Sequence, residues 1–411
     1  MDYIVTGGRL SGEIATYGAK NCALALLGAA VLTEEEVILR NCPHIVDVEN
    51  MISLLIAMGK KVERSGDTVC IQGRLSSTCA PEKLATLLRG SALILGSTVA
   101  KYNQIDLPLP GGCAIGARPM DIHLDGLKAL GIFVDSSSDK VRCSGKPIGA
   151  KYNLRFASVG ATENLLCACA LADGVSILSN CATEPEVVAL EQLLVKMGAK
   201  LSGIGETTIV IDGVSCLHGA TFDVIPDRIV ASTYLSCAVA SLGDVTVTHC
   251  CPEHLTSFLE TLSPHFYIKQ YRDAIRIKAE KHPNGYGKIV TAPYPMFPTD
   301  MQSLMMSLAA CSKGQTVICE KLFENRLQHN ADELSKMGAC ITVQNDKAVI
   351  QGKHLHGARV TAYDLRGGAG LVVAALSADG VSCVSGVEHI NRGYVNLAQN
   401  LATLGADIQV I

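Results

Sequence analysis

One segment of the chain combines a cysteine, a nearby cation and many glycines and prolines. Residues 108–119 read Pro-Leu-Pro-Gly-Gly-Cys-Ala-Ile-Gly-Ala-Arg-Pro, which places a thiol at Cys113 and a guanidinium at Arg118. A guanidinium close to a thiol lowers the pKa of the thiol and makes it reactive. Loops of this length and composition are usually either functional or disordered. The composition therefore leaves two interpretations open, a reactive thiol on a functional loop and an incidental cysteine on a surface loop.

Charged side chains also stand where several helices are predicted to begin. Lys20, Arg89, Asp300 and Arg366 each lie in a polar or glycine-rich cluster that precedes a run of small apolar residues. The N–H groups and the dipole of a helix N-terminus favour bound anions. One charge at such a place is usually solvated or part of a helix cap. Four charges at equivalent places in a repeat favour a binding site.

The chain repeats one structural unit six times. Each unit opens with such a cluster and continues as an apolar helix, a short strand, a second helix and further strands. Successive openings are roughly 70 residues apart, which is longer than the usual period of a solenoid. Five second helices end in Met-Gly or Leu-Gly, which suits a left-handed cap, whereas Leu262-Ser263-Pro264 stands in the fourth unit. The openings are residues 18–21, 89–91, 159–162, 227–229, 298–301 and 365–367.

The first helix of each unit indicates the layering of the fold. Residues 22–32 read Cys-Ala-Leu-Ala-Leu-Leu-Gly-Ala-Ala-Val-Leu and are apolar on every side. A helix without a polar face must be covered all round, so these helices are predicted to be interior, with the sheets outside them. Six units divide into two domains of three. We expect the first domain at residues 21–226 and the second at residues 1–20 plus 227–411, because residues 3–5 and 408–410 both read as strands.

Composition excludes several classes of function. The chain has 411 residues, a net charge of −4 and no run of Lys or Arg, which argues against nucleic acid as a partner. Its 17 cysteines lie mostly in apolar stretches, which favours buried thiols over disulfides or a metal site. The apolar stretch at residues 21–33 is too short to span a membrane, and the first ten residues lack a signal-peptide pattern. These features predict a cytoplasmic protein without membrane contact.

Nine motifs together resemble those of one family of enzymes. They are residues 18–21, 110–119, 158–162, 184–186, 226–229, 297–302, 323–326, 364–366 and 392–394. In this order, over the whole chain, they resemble the UDP-N-acetylglucosamine 1-carboxyvinyltransferase family. The related shikimate-pathway transferase lacks the cysteine loop. The resemblance implies an α/β fold of two inside-out, barrel-like domains, each of three repeats with interior helices and outer sheets, and an active site in the cleft between them. This agrees with the repeat argument.

The resemblance also implies a reaction. The 3-hydroxyl of UDP-N-acetylglucosamine attacks C2 of phosphoenolpyruvate while C3 is protonated, and loss of phosphate and a proton gives the enol ether. Cys113, on the catalytic loop 108–119, matches the acid, Asp300 matches the base, and Lys20 matches a catalytic cation. The family takes the first committed step of peptidoglycan synthesis, which serves cell-wall biogenesis, cell shape and cell division, and fosfomycin inhibits it. No metal or organic cofactor is implied.

Binding residues are carried over from the same motifs. Lys20, Arg118 and Arg392 match the ligands of phosphoenolpyruvate, and Arg89 and Arg366 would extend the cationic field. The nucleotide sugar would be held by a larger set of residues. That set is Asn21, Arg89, Asp121, Ile122, His123, Ser158, Val159, Gly160, Asp300, Leu322 and Arg326.

Several residues depart from the family's pattern and keep other functions open. Phe156 stands where many members have a polar residue, and Thr183 replaces the usual basic residue before Glu-Pro-Glu. Val230 and Ser232 replace Glu and Gly, and Asn391 and Val395 replace acids, each beside a motif. The alternatives are a paralogous enolpyruvyl transferase with another nucleotide or nucleotide sugar as acceptor, and a catalytically silent regulatory homologue. A nucleic-acid end-processing enzyme of similar repeat fold is disfavoured by the charge balance.

Overall fold

The chain forms two compact units. The structure, a computed structural model, describes residues 1–109, 120–137, 139–323 and 325–411. Met1–Tyr17 and Pro226–Ile411 form one unit, which we call the Asp300 unit. The described residues from 18 to 225 form the other, which we call the Lys20 unit. The sequence placed Gly18, Ala19 and Lys20 with the Asp300 unit. They belong to the Lys20 unit, where the N–H of Ala19 donates to the carbonyl of Ile225.

Short strands run through both units. In chain order they are β1 (Tyr3–Gly7), β2 (Ser11–Ala15), β3 (Val37–Arg40), β4 (Lys61–Ser65), β5 (Thr68–Gln72), β6 (Gln104–Pro108), β7 (Phe133–Asp135), β8 (Lys140–Ser144), β9 (Lys151–Asn153), β10 (Val175–Ser179), β11 (Lys200–Ser202), β12 (Thr208–Asp212), β13 (Ala220–Asp223), β14 (Asp244–Thr248), β15 (Tyr267–Gln270), β16 (Ala274–Lys278), β17 (Gly287–Val290), β18 (Gln315–Cys319), β19 (Cys340–Gln344), β20 (Lys347–Gln351), β21 (Arg359–Thr361), β22 (Ser382–Ser385) and β23 (Asp407–Val410).

Helices alternate with these strands. They are α1 (Lys20–Ala29), α2 (Val46–Ala57), α3 (Glu82–Ala85), α4 (Ile94–Tyr102), α5 (Asp121–Ala129), α6 (Val159–Ala170), α7 (Pro185–Lys196), α8 (Arg228–Ala240), α9 (Thr256–Leu262), α10 (Gln302–Ala310), α11 (Arg326–Lys336), α12 (Leu365–Ser377), α13 (Val387–Ile390) and α14 (Leu397–Thr403). Short 3-10 segments at Arg89–Leu93 and Thr299–Met301 precede α4 and α10.

Each unit contains three sheets, one for each repeat. The Lys20 unit has the orders β13-β3-β5-β4, β6-β8-β7 and β11-β12-β10-β9. The Asp300 unit has β21-β22-β1-β23, β15-β16-β14-β2 and β17-β18-β20-β19. Strand β1 pairs with β23 with Tyr3 opposite Val410, so the first strand completes a sheet with the last, as the sequence predicted. In the described part of the chain the sheets remain separate and do not close into a barrel.

The first helix of each repeat is interior, as its apolar pattern predicted. All thirteen residues of α8 are buried, and α8, α10 and α12 contact one another in the Asp300 unit. In the Lys20 unit α4 packs closely on α6. A Cβ at Gly96 would lie 1.9 Å from the carbonyl oxygen of Asn164, so this helix contact requires glycine. Small residues therefore let the interior helices approach, and the prediction of interior helices and outer sheets is confirmed.

The second helices end where the glycines predicted. Gly59, Gly131, Gly198, Gly338 and Gly405 all have positive φ, between 79° and 115°. Glycine adopts this conformation without steric cost, and it ends the helix. The fourth repeat ends α9 at Leu262 without a glycine. In the described residues no helix is both long and apolar enough to cross a membrane.

Candidate active site

Lys20 begins α1 and is fixed by a carboxylate. Its Nζ lies 3.2 Å from Oδ2 of Asp47, which is in the first turn of α2. The side chains of Lys20 and Asp47 are 14% and 4% exposed. The N-cap of α1 is Ala19, which lacks a capping side chain, and the predicted ligand Asn21 is half-buried in the first turn. A partly buried ammonium at a helix N-terminus is therefore held in one position, which suits binding of an anion.

Arg89, His123 and Gly160 lie together in the Lys20 unit. Nδ1 of His123 is 2.9 Å from Nδ2 of Asn164, which also donates to the carbonyls of Ala92 and Gly160. Burial, and then the charge of Arg89, lower the pKa of His123 to about 4. The ring is therefore neutral at physiological pH. Because an amide nitrogen only donates, Nδ1 of His123 is the acceptor and Nε2 carries the proton. His123 can thus offer one N–H donor to a ligand.

Ser158, Val159 and Gly160 form the start of α6. Ser158 is the N-cap, and its hydroxyl accepts the N–H of Ala161 at 3.4 Å. All three predicted ligands are half-buried. A Cβ at Gly160 would lie 3.1 Å from Cε1 of His123, so glycine allows the imidazole to approach the helix start.

Asp121 and Ile122 begin α5, and an arginine engages the aspartate. One oxygen of Asp121 accepts the N–H of Ile122 at 2.9 Å, and the other pairs with Arg155. Arg155 also lies 3.2 Å from Asp125. A ligand that contacts Asp121 must therefore share it with Arg155. The sequence pattern gave no sign of Arg155, which directly precedes the exposed Phe156.

Three glutamates, Glu163 on α6 and Glu184 and Glu186 at the start of α7, lie close enough to influence one another. Burial, and then the charges of Glu186 and Glu184, raise the pKa of Glu163 well above its usual value. Glu163 lies on α6, and its Oε1 is buried without a hydrogen-bond partner in the described residues. Burial and the neighbouring glutamates therefore favour the neutral, protonated form of Glu163. Thr183, which stands in place of the family's usual basic residue, directly precedes Glu184.

Asp300 is held between two buried arginines. Its Oδ1 lies 3.2 Å from Nη2 of Arg326, and its Oδ2 lies 3.2 Å from Nη2 of Arg366. The arginine side chains are 3% and 5% exposed, whereas Asp300 is 25% exposed. The carboxylate is thus the accessible member of the group. Arg326 and Arg366, which the sequence assigned to ligands, bind Asp300 in this structure.

The residues around Asp300 form a continuous hydrogen-bond network. The hydroxyl of Thr299 donates to Glu320 at 2.7 Å and accepts from Arg326 at 2.6 Å. Glu320 also accepts the N–H of Leu322 at 2.8 Å, so this predicted ligand has its backbone donor engaged. The N-cap of the 3-10 segment is Pro298, and neither Thr299 nor Asp300 caps it. The polar side chains here hold Asp300 in place rather than cap the start of the helix.

Arg366 follows the Asp364 cap of α12. Oδ1 of Asp364 accepts the N–H groups of Arg366 and Gly367, both at 2.9 Å. Burial is the largest single influence on the pKa of the Arg366 guanidinium and would lower it, but Asp300, Tyr394 and Asp227 together outweigh burial and raise that pKa. The guanidinium also lies 6.0 Å from the ring of Tyr394. Arg366 therefore remains charged beneath Asp300.

Of the three remaining predicted residues, the structure describes Arg392. Arg392 is half-buried in the turn between α13 and α14, in the Asp300 unit. Cys113 and Arg118 lie outside the described residues. Where the chain is described, no three His, Cys, Asp or Glu residues are grouped so as to hold a metal ion.

Comparison with known proteins identifies the family. Residues 4–401 match the family described as EPSP synthase (3-phosphoshikimate 1-carboxyvinyltransferase). The chain is 42% identical over 406 residues to UDP-N-acetylglucosamine 1-carboxyvinyltransferase 2 of Caldanaerobacter subterraneus, covering 98% of this chain and 97% of the relative. It is 43% identical to UDP-N-acetylglucosamine 1-carboxyvinyltransferase of Magnetococcus marinus, covering 100% and 99%. The chain belongs to the UDP-N-acetylglucosamine 1-carboxyvinyltransferase family. Members of this family are transferases, so the chain is an enzyme.

Solved structures share the fold of this transferase. The enolpyruvyl transferase NikO from Streptomyces tendae matches with a TM-score of 0.90 at 23% identity, covering 99% of this chain and 98% of that one. EPSP synthase from Acinetobacter baumannii matches with a TM-score of 0.76 at 18% identity over the full length of both chains. At these identities the likeness concerns the fold alone.

Proposed function

We propose that the protein transfers the enolpyruvyl group of phosphoenolpyruvate to the 3-hydroxyl of UDP-N-acetylglucosamine and releases phosphate. The observation that carries the proposal is the identity of 42–43% with transferases of that name over almost the whole chain. The motifs at Lys20, Asp300 and Arg392 support it. The corresponding cellular role is peptidoglycan synthesis in the cytoplasm, and through it cell-wall biogenesis, cell shape and division.

The proposed reaction is an addition followed by an elimination. The sugar oxygen forms a bond to C2 of phosphoenolpyruvate, its proton passes to a base, and C3 gains a proton from an acid. In the second step C3 loses a proton and the C2–O bond to phosphate breaks. We assign the acid to Cys113 and the base, or the group that orients the hydroxyl, to Asp300.

The Lys20 unit supplies the cations and donors for the substrates. Phosphoenolpyruvate carries a phosphate and a carboxylate, so the enzyme must stabilise several negative charges. We assign this to Lys20 and Arg89, together with Arg118 of the catalytic loop 108–119. Asn21, Asp121, Ile122, His123 and residues 158–160 are assigned to the nucleotide sugar, with the Nε2–H of His123 as a donor.

The Asp300 unit supplies an oriented carboxylate. Arg326 and Arg366 bind one oxygen each, which fixes the plane of the Asp300 carboxylate. Fixed orientation reduces the entropy lost when the sugar hydroxyl is aligned for attack. In this proposal Arg326 and Arg366 act through Asp300, and Arg392 binds phosphoenolpyruvate directly.

A second candidate is enolpyruvyl transfer to another nucleotide or nucleotide sugar. The observations in its favour are the exposed Phe156, which follows the Arg155 that pairs with Asp121, and Thr183 before Glu-Pro-Glu. Phe156 replaces a residue that is usually polar in the family, and Thr183 replaces one that is usually basic. Both stand beside family motifs, so they could change which acceptor the enzyme binds. A catalytically silent homologue is disfavoured, because Lys20, Cys113, Arg118, Asp300 and Arg392 are all present.

Phosphate release with a panel of acceptors tests these candidates. The purified protein is incubated with phosphoenolpyruvate and UDP-N-acetylglucosamine, UDP-glucose, UDP-N-acetylgalactosamine or no sugar, and phosphate is measured. We expect release with UDP-N-acetylglucosamine and very little without sugar. Release with a different acceptor alone would favour the paralogous function, and no release with any acceptor would favour the silent homologue.

Fosfomycin is expected to alkylate Cys113. The thiolate would attack the epoxide, forming a C–S bond as the C–O bond breaks and the oxygen takes a proton. Intact-mass spectrometry should show one adduct that forms faster with UDP-N-acetylglucosamine present. Cys113→Asp should keep turnover but form no adduct, because a carboxylic acid can donate a proton yet is a poor nucleophile towards an epoxide.

The matched control is an exposed cysteine elsewhere in the chain. Cys216 is exposed, and Cys216→Ser should leave both the adduct and turnover unchanged. An adduct that persists in Cys113→Asp would place the alkylation on another residue. Full turnover by Cys113→Ala, which has no proton donor at this position, would remove Cys113 from the proposed role of acid.

A further inference from the structure

The turn that carries Arg392 is closely packed. It comprises residues 391–396, between α13 and α14, and Asn396 ends it with φ at 48°. A Cβ at Gly393 would lie 2.7 Å from Cδ2 of Leu365, the residue before Arg366. The backbone next to Arg392 therefore contacts the start of α12 directly. The position of the Arg392 guanidinium depends on how this turn is held.

One phenol bridges the backbone of the turn. The hydroxyl of Tyr17 accepts the N–H of Val395 at 2.9 Å and donates to the carbonyl of Gly393 at 3.4 Å. The carbonyl of Tyr17 in turn accepts the N–H of Asp227 at 2.8 Å, and Asp227 is the cap of α8. Tyr17 thus connects the turn to the start of an interior helix.

Other side chains fix the residues around this bridge. The hydroxyl of Tyr394 lies 2.7 Å from that of Thr233, and Nδ2 of Asn400 donates to the carbonyl of Val395 at 2.9 Å. The hydroxyl of Tyr3 donates to Oδ1 of Asn391 at 3.4 Å. The turn is therefore held on both sides of Arg392, and Tyr17 holds the two backbone groups that flank Tyr394.

The departures from the family's pattern fall at this place. Asn391 and Val395 stand where the family usually has acids, on either side of Arg-Gly-Tyr. In this chain the Asn391 side chain accepts from a phenol, and the Val395 backbone donates to one. Each of the two residues that replace the family's acids therefore forms a hydrogen bond with a tyrosine hydroxyl, Asn391 with Tyr3 and Val395 with Tyr17.

We propose that Tyr17 is a positioning residue for Arg392 and thereby sets the affinity for phosphoenolpyruvate. The inference rests on the proposed function, in which Arg392 binds that substrate. Loss of the hydroxyl would leave the N–H of Val395 without this acceptor, so the turn would relax and the guanidinium would move. Small displacements of a substrate-binding group lower the rate or affinity strongly.

Tyr17→Phe tests the proposal because it removes only the hydroxyl. We expect the KM for phosphoenolpyruvate to rise ~10-fold while the KM for UDP-N-acetylglucosamine stays nearly unchanged. Hydrogen exchange should be faster in peptides that cover residues 391–396. The matched control is Tyr102→Phe in the Lys20 unit, whose hydroxyl accepts the N–H of Leu75 at 3.0 Å. It should change neither KM.

A double variant separates positioning from general stability. If Tyr17 acts through Arg392, Tyr17→Phe should have no further effect on the KM for phosphoenolpyruvate in an Arg392→Ala background. Additive effects, an equal rise in both KM values, or unchanged exchange in residues 391–396 would each overturn the proposal. Wild-type protein that releases no phosphate would count against the proposed function instead, and the exchange result alone would then decide whether Tyr17 holds the turn.

Discussion

Asp300→Asn is expected to lower turnover by at least ~100-fold, because an amide cannot take the proton of the sugar hydroxyl. The carboxylate lies between Arg326 and Arg366, so it is a weak base. A weak base is sufficient if the proton leaves only as the C–O bond forms. Steady-state kinetics with both substrates measures the effect, and calorimetry should show that UDP-N-acetylglucosamine still binds.

The same substitution disturbs a charge pair, and a control must account for this. Asparagine can accept from one arginine only, so we expect a loss of about 1–3 kcal/mol in the free energy of unfolding. Asp244 is the matched residue, since Arg276 binds its two oxygens, both at 2.8 Å. Asp244→Asn should lower stability without loss of turnover. Near-normal turnover by Asp300→Asn would restrict Asp300 to anchoring the two arginines.

Lys20→Ala is expected to cost roughly 2–5 kcal/mol of transition-state stabilisation, or about 30- to 5,000-fold in kcat/KM for phosphoenolpyruvate. The reason is loss of a positioned cation next to the phosphate and carboxylate of the substrate. Affinity for UDP-N-acetylglucosamine should change little. Steady-state kinetics and calorimetry with each substrate measure the two effects separately.

A substitution of Asp47 can separate the effect of the Lys20 charge on activity from its effect on the stability of the fold. It lies 3.2 Å from Lys20 and is almost fully buried, so removing the lysine also destabilises the fold. In Lys20→Met with Asp47→Asn, stability should recover while activity stays low. Lys336→Ala is the control, because Lys336 pairs with the buried Glu333 at 2.7 Å on α11. If Lys20→Ala abolished binding of the nucleotide sugar and left phosphoenolpyruvate unaffected, the assignment of Lys20 would be wrong.

Local sequence determined the repeats and their layering. The all-apolar pattern of residues 22–32 required an interior helix, and the glycines after the second helices required left-handed caps. Both are properties of adjacent residues, and both are found in the structure. The sequence put the boundary between the two units a few residues too late, after Lys20. The backbone hydrogen bond from Ala19 to Ile225 joins segments that are distant in the chain, and local sequence does not reveal it.

The sequence also placed charges at helix N-termini but not their partners. Lys20, Asp300 and Arg366 were identified because the repeat puts them at equivalent openings. Asp47 gave no signal, since an acidic residue in the first turn of a helix is common. The resemblance assigned Arg326 and Arg366 to substrates, whereas in the structure both contact Asp300.

The sequence by itself thus determined the elements, their order in the repeats and the family. Only the tertiary structure decided which side chains meet. Asp300 and Arg366 are 66 residues apart in the chain, and Tyr17 and Val395 are 378 apart. Periodicity encodes which face of a helix or strand is buried. A hydrogen bond near 3 Å depends instead on how separate repeats pack, and no local pattern specifies that distance.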